Sequence, residues 1–322
     1  MTTAIDTTAK LTLKKRFSQI LDVEIANGDA SEDTVKTYTQ QFKLFVSWCD
    51  RCGIAVERAT SADIKDYRRY LVNKNLAVAT IALKLTVVKR IYAIAVERGL
   101  IVSNPAANIT ARIERRDPAE GNNYLELEEA QKLIETLPVE KTLKGLRDRL
   151  LVVLMVVCGC RQIGLYRLNI GDIIRRGTNK VGLRLRAKGS VRVIPLRPDV
   201  ISVLDKYLEA RKANGEKLRK GMPVFVSLAR NSTGNRLTRR SMQRIVNQYL
   251  DKAALKHSQS RTMTTHGLRH TVGYLLTLAG SSLRTVQEFL GHSDPSTTAI
   301  YAHIASLWQD NPSSTLKLVL LS

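Results

Sequence analysis

All five histidines of the chain, His257, His266, His270, His292 and His303, lie in its last 66 residues. A rare titratable residue gathered in this way marks a region able to move protons. In His266-Gly267-Leu268-Arg269-His270 the positions 266, 269 and 270 are spaced i, i+3, i+4, so a His and an Arg share a helical face and can address one anion together. Leu290-Gly291-His292 supplies another His at a predicted helix end, and Tyr301 follows nine residues later in TTAIYAH. Upstream, Cys158-Gly159-Cys160-Arg161 sets an Arg directly after an apolar run and a Gly-containing break, a costly place for a charge that lacks an anionic partner. Lys188 stands in Ala187-Lys188-Gly189-Ser190, a turn between two alternating segments.

Charge indicates what kind of anion. The 322 residues carry 51 Lys+Arg against 29 Asp+Glu, a net +22, and residues 151 to 250 alone hold 21 against 5, a net +16. A positive field focused on one third of the chain concentrates polyanions, above all nucleic acid, whereas solubility alone is served by mixed signs. Membrane-surface binding is disfavoured, because no segment joins a basic face to a Trp- or Phe-rich apolar one. The longest apolar run, Leu150 to Cys158, has nine residues, against the roughly 20 that cross a bilayer. The opening MTTAIDTTAK lacks the apolar core of a secretory signal, so a cytoplasmic, nucleoid-associated protein is expected, with its four cysteines as thiols. A composition 44% hydrophobic and 25% charged excludes disorder throughout and suits two domains.

The quoted residues resemble the tyrosine recombinase (integrase) family, which includes phage integrases and the Xer chromosome-dimer resolvases. The family's signature is an Arg after a Gly-Leu-like pair, a Lys in a β-turn, His-x-x-Arg, Leu-Gly-His, and a Tyr about nine residues on. These fall, in order, on Arg161, Lys188, His266 with Arg269, His292 and Tyr301. The text HGLRHTVGYLLTLAGSSLRTVQEFLGHSDPSTTAIYAHI follows the family nearly without a gap, and a weaker likeness extends over the amino-terminal region and Asn104-Pro105. The resemblance implies an enzyme that cleaves and rejoins DNA through a 3′-phosphotyrosine on Tyr301.

Physical chemistry agrees with those roles. A tyrosine, with an unperturbed pKa of about 10, needs a base or a strongly positive setting to attack. Charge then builds on the non-bridging oxygens of a pentacoordinate phosphorus, which Arg161 and Arg269 can clamp with forked hydrogen bonds. Lys188 suits the donor to the leaving 5′ oxygen, His266 a base that also orients the phosphate, and His292 a hydrogen-bond donor to it. The linkage stores the bond energy, so no cofactor, ATP or metal is required. A two-metal nuclease needs converging carboxylates, and Asp172, Asp199, Asp205, Glu209 and Glu216 do not pair with the signature at ligand spacing. Cys49-x-x-Cys52 is half a zinc site whose only further cysteines, Cys158 and Cys160, precede Arg161, so no metal is assigned. His270 and His303 are read as packing or orienting the site.

One departure stands out. Relatives carry Ser/Thr-Glu two and three residues after the first Arg, and this chain has Ile163-Gly164. Arg161 is then either less firmly oriented or held by another group. The opposing reading, a non-catalytic sequence-specific DNA-binding regulator derived from a recombinase, would be favoured by loss of one of the six residues, and none is lost.

The elements that must position these residues are mainly helical. Val35, Tyr38, Phe42, Phe45 and Trp48 recur at three and four after Ser31; Ile64, Tyr67 and Leu71 mark a helix starting near Ser61; a third spans about Ala79 to Arg98 and stops at Gly99; another falls between Leu11 and Ala26. Ser103-Asn104-Pro105 is read as ending the third. Beyond the polar stretch TARIERRDPAEGNN, helices are predicted over Leu127–Leu137 and Leu143–Val157 and from near Thr238, Thr265 and Ser282. Val181, Leu183 and Leu185, then Val191-Arg192-Val193, alternate as a β-hairpin. The fold class is therefore mainly α: a helical core-binding (SAM-like) bundle over 1–109, a linker over 110–123, and a mixed α+β catalytic domain with a small antiparallel sheet over 124–322. Lys84, Lys89, Arg90, Arg239, Arg240 and Arg244 are the DNA-contact candidates, on charge and placement. The family further implies double-stranded DNA recombination sites as partners, no membrane, and a homo-tetramer on two sites, with the segment after Tyr301, ending LKLVLLS, docked on a neighbouring protomer. About 30 residues before the helix that follows Ser31 are too few for an additional arm-binding domain.

Overall fold

A computed structural model of the chain describes residues 32–111, 123–139, 142–177, 180–187, 190–258 and 261–291. The chain divides into two compact units, Met1–Arg116 and Asp117–Ser322. The predicted helix between Leu11 and Ala26, and the Ser31 cap, lie outside the described residues.

The first unit contains α1 (Glu32–Arg51), α2 (Ser61–Asn73) and α3 (Val78–Glu97). The three-four spacing on α1 buries Phe42, Phe45 and Trp48, which meet Tyr67 of α2 and Tyr92 of α3 in an aromatic core; Phe45 and Tyr67 pack edge to face at 4.9 Å. A capping box starts α2: the Thr60 hydroxyl accepts from the Asp63 amide, and the Thr60 amide donates back to the Asp63 carboxylate at 2.7 Å. Helix α3 stops at Gly99, whose φ of 65° only glycine adopts cheaply. The stop precedes Ser103-Asn104-Pro105, a correction to the sequence reading. Asn104 instead ties the following chain back onto α3, donating to the Lys89 carbonyl at 3.0 Å and accepting from the Ala106 amide at 2.9 Å.

The second unit contains α4 (Leu127–Glu135), α5 (Leu143–Val156), α6 (Gln162–Arg167), β1 (Ile173–Arg176), β2 (Lys180–Ala187), β3 (Ser190–Pro195), α7 (Pro198–Ala213), α8 (Arg239–Lys252), α9 (Thr265–Leu278) and α10 (Leu283–Leu290). The second half of helix α5 is apolar on all sides and correspondingly central: Leu150 to Val156 are all buried, between α7 and α9. The sheet is antiparallel in the order β1-β2-β3 and turns Val181, Leu183 and Leu185 to the core. Strand β1, Ile-Ile-Arg-Arg, was not read from sequence; four residues without alternation carry no period-two signal. Strand β3 also faces the other way from a hairpin with Val191 and Val193 inward. Those two are 61% and 53% exposed, and Arg192, paired with Leu185, takes the inner face.

Thr238, Thr264 and Ser282 cap α8, α9 and α10, each hydroxyl accepting an amide three residues on. Among the described residues no helix is long and apolar enough to cross a membrane.

Candidate active site

The site forms where three chain ends meet. Helix α5 finishes at Val156, and the break after it turns through Gly159 at a φ of 60°. A Cβ on Gly159 would stand 2.6 Å from Leu290 Cδ2, so this glycine permits the break to touch the end of α10. Arg161 then caps the short α6 by main-chain position and sends its guanidinium across to the Gly291 carbonyl, at 3.2 and 3.3 Å.

Arg269 arrives from α9. It is 1% exposed, and its two terminal nitrogens divide between elements: Nη1 donates to the Gly159 carbonyl at 2.6 Å and Nη2 to the Leu290 carbonyl. The sequence placed Arg161 and Arg269 at one site, and the structure brings them to adjacent carbonyls. These carbonyls belong to the last turn of α10, whose groups have no partner within their own helix and carry the negative end of its dipole. Gly291 closes that helix in the left-handed conformation, at a φ of 63°.

His266 and His270 lie one turn apart on α9, their rings edge to face with centroids 4.6 Å apart. Burial, then Arg269 and Arg161, lower the pKa of His266; burial, then His266 and Arg269, bring His270 down to about 4. Both imidazoles are therefore neutral at pH 7, which leaves His266 with a lone pair to accept a proton.

Gly164, where relatives hold a carboxylate, is buried with Leu185 side-chain atoms 3.5 Å from where a Cβ would be. An apolar contact occupies that position, and a main-chain oxygen, that of Gly291, holds Arg161. Sequence reasoning missed Arg192. Its Nη1 donates to the Phe289 carbonyl at 2.9 Å, and burial, together with Arg161, lowers its pKa. Alternation with Val191 and Val193 assigns Arg192 to the solvent face, so the sequence carried no signal for it; only the register against the buried Leu185 turns it inward. Lys188, His292, Tyr301 and His303 lie outside the described residues; the flanking Ala187 and Ser190 pair across the hairpin.

The six DNA-contact candidates are placed differently. Lys84 is buried, 9% exposed, and its ammonium donates to Gln41 of α1 at 2.6 Å, so it joins two helices of the first unit. Lys89 and Arg90 are half-buried, with Arg90 3.7 Å from Glu97. Arg239, Arg240 and Arg244 are exposed, Arg239 at the first turn of α8 and the other two on the face opposite its buried Met242, Ile245 and Val246. Gln162, beside Arg161, donates to the Arg239 carbonyl at 2.6 Å, so α8 starts next to the site. Asp172, Asp199, Asp205 and Glu216 each pair with a separate arginine. Burial raises the thiol pKa of Cys49 and Cys158 to about 12 and that of Cys160 further, which makes all three poor nucleophiles.

The chain is similar to known proteins in sequence and in fold. Residues 123–307 match the Phage integrase family and residues 20–99 the Phage integrase, N-terminal SAM-like domain. Tyrosine recombinase XerC of Pelobacter propionicus is 31% identical over 285 residues, 85% of this chain and 86% of the relative. Tyrosine recombinase XerD of Staphylococcus haemolyticus is 30% identical over 290 residues, 88% and 91% of the two chains. The fold is that of XerH site-specific recombinase in a post-cleavage complex with palindromic difH substrate, with a TM-score of 0.71, 20% identity and coverage of 87% of this chain and 79% of that one. A lambda integrase dimer bound to a COC′ core site has a TM-score of 0.66 at 19% identity, covering 96% and 98%.

Proposed function

Because the chain belongs to the phage integrase family of tyrosine recombinases, we propose that it cleaves and rejoins DNA at specific sites through a 3′-phosphotyrosine on Tyr301, without metal or ATP. The observation that carries this reading is the convergence of Arg161 and Arg269 on the Gly291 and Leu290 carbonyls, one residue before His292 in the chain and beside a neutral His266.

The chemistry follows from those groups. A phosphodiester entering the site offers charged oxygens to the guanidiniums that these carbonyls orient, and guanidinium bonds to phosphate are about twice as strong as neutral ones. His266 takes the phenolic proton as the Tyr301 oxygen attacks phosphorus. The new O–P bond forms as the bond to the 5′ oxygen breaks, and Lys188 protonates that leaving oxygen. His292 donates to a non-bridging oxygen. A 5′-hydroxyl of a second strand reverses the step, so the bond energy passes from one DNA partner to the other.

The partners on this reading are double-stranded recombination sites and further copies of the chain, as a tetramer on two sites. A groove of about 670 Å³ between α4, α5, α7 and α9, where Ile134, Val153, Val203 and Leu276 lie beside Arg149, Arg197, Asp199 and Lys206, supports docking of a neighbour's segment after Tyr301. The segment 110–123 serves as the linker between a core-binding domain, 1–109, and a catalytic domain, 124–322, in a cytoplasmic enzyme associated with the nucleoid.

The test uses a cognate site nicked just beyond the scissile bond, so that the short released strand diffuses away. The expected result is a covalent adduct that survives SDS, persists with chelator, and is absent for Tyr301→Phe although that variant still binds DNA. Binding without an adduct would instead identify a regulator.

A further inference from the structure

Three guanidiniums, from three different elements, end on three consecutive carbonyls of one helix terminus. Arg192 of β3 donates to Phe289, Arg269 of α9 to Leu290, and Arg161 ahead of α6 to Gly291. Arg192 is the member that no signature motif contains. Its contact is close and specific: a Cβ on Gly291 would stand 2.8 Å from its Nη1 and 2.9 Å from its Cδ, so a glycine at 291 lets the guanidinium lie against the turn. None of the ion pairs among the described residues includes Arg192. A half-buried cation loses part of its hydration, and here the helix's negative end and the Phe289 carbonyl compensate for it.

We propose that Arg192 is a positioning residue for strand cleavage: by holding the last turn of α10 against β3, it keeps the Leu290 and Gly291 carbonyls where they aim Arg269 and Arg161 at the scissile phosphate. This rests on the phosphoryl-transfer reading above. Arg161 and Arg269 cannot both orient themselves on the turn and fix it. A third grip from a strand locked into the sheet supplies the fixed reference, since β3 is paired along its length with β2. With a neutral side chain in place of Arg192 the turn loses that reference, and the clamp arginines lose aim without losing their charge.

The experiment measures single-turnover adduct formation on two versions of the nicked site, one with the ordinary phosphodiester and one with a methylphosphonate at the scissile position. The methylphosphonate is neutral and makes smaller demands on aligned guanidiniums. Arg192→Met keeps the apolar stem and removes the fork. The expected result is a loss of about tenfold or more on the phosphodiester and under about threefold on the methylphosphonate, with DNA affinity retained. Arg192→Lys, which keeps a charge but not the fork, should show the same split in weaker form. Equal losses on both substrates, or no loss on the phosphodiester, would overturn the proposal; so would failure of both variants to fold, since Arg192 would then be structural. Wild-type protein that formed no adduct on either substrate would instead overturn the recombinase reading itself.

Discussion

The Arg269 guanidinium spans two carbonyls of separate elements, that of Gly159 after α5 and that of Leu290 at the end of α10, from a nearly inaccessible position. Its loss should therefore act twice. Arg269→Ala is expected to cut adduct formation on the order of 10² or more, because developing phosphate charge loses a forked donor. It should also lower stability by about 1–3 kcal/mol, because buried carbonyls lose their partners. A rate within threefold of wild type in single-turnover assays would contradict the clamp. His270 gives a test in pH. Its folded pKa, about 4, lies below the ordinary 6.5, so between those values the unfolded chain binds more protons and stability is lost as pH falls. His266 and Arg269, the groups that add to burial in lowering it, enforce the same sign. A His270→Gln variant should lose less stability than wild type between pH 7 and 4 in chemical denaturation; parallel curves would show that His270 is not held neutral. At this scale the sequence exposed the residues that spacing or position against an apolar run marks out. His266, Arg269 and His270 were legible from i, i+3, i+4 spacing, and Arg161 from its place after an apolar run. Arg192 was not, because its alternation with Val191 and Val193 assigned it to the solvent face, and only the pairing with Leu185 turns it inward.

Elements were legible in proportion to their periodicity. Helices α1, α2 and α3 announce themselves through an apolar residue every third or fourth position, and α8, α9 and α10 through Thr or Ser caps. The sheet was legible in the β2–β3 hairpin, where Val181, Leu183 and Leu185 and then Val191-Arg192-Val193 alternate, but not in β1. β3 inverts that rule, turning two valines to the surface because Arg192 is needed inside. Gly267 marks another position where packing overrides propensity. Within α9 a glycine costs helix stability relative to alanine, yet a Cβ there would stand 2.4 Å from Met263 Sδ and 2.6 and 2.8 Å from the side-chain and main-chain oxygens of Asn123. The chain entering the second unit crosses α9 at this point, and continues along it with Leu125 donating to Thr271 and Tyr124 stacked on Tyr274 at 4.0 Å. Gly267→Ala should thus destabilise by about 1–3 kcal/mol despite its better helix propensity, read as a shifted denaturation midpoint. An unchanged midpoint would mean that this crossing is loose.

The whole molecule acts through its charge, most of which lies in the second unit. Arg239, Arg240 and Arg244 stand exposed on α8, which starts beside the residue next to Arg161. Replacing all three with Ala should flatten the dependence of log affinity on log salt by about three units, one per phosphate contact. A slope equal to wild type would remove α8 from the interface. Lys84 offers no such test, because its ammonium is committed to Gln41 inside the first unit; a sequence shows that a lysine lies on a helix but not which side of the helix the core will claim. The central claim is that Tyr301 carries the DNA between cleavage and rejoining. The most direct test digests the trapped adduct with protease and nuclease and identifies the modified peptide by mass spectrometry. The account predicts a nucleotide joined through its 3′-phosphate to Tyr301, and a free 5′-hydroxyl on the other strand end. A nucleotide on any other residue, or one linked through its 5′-phosphate, would contradict it.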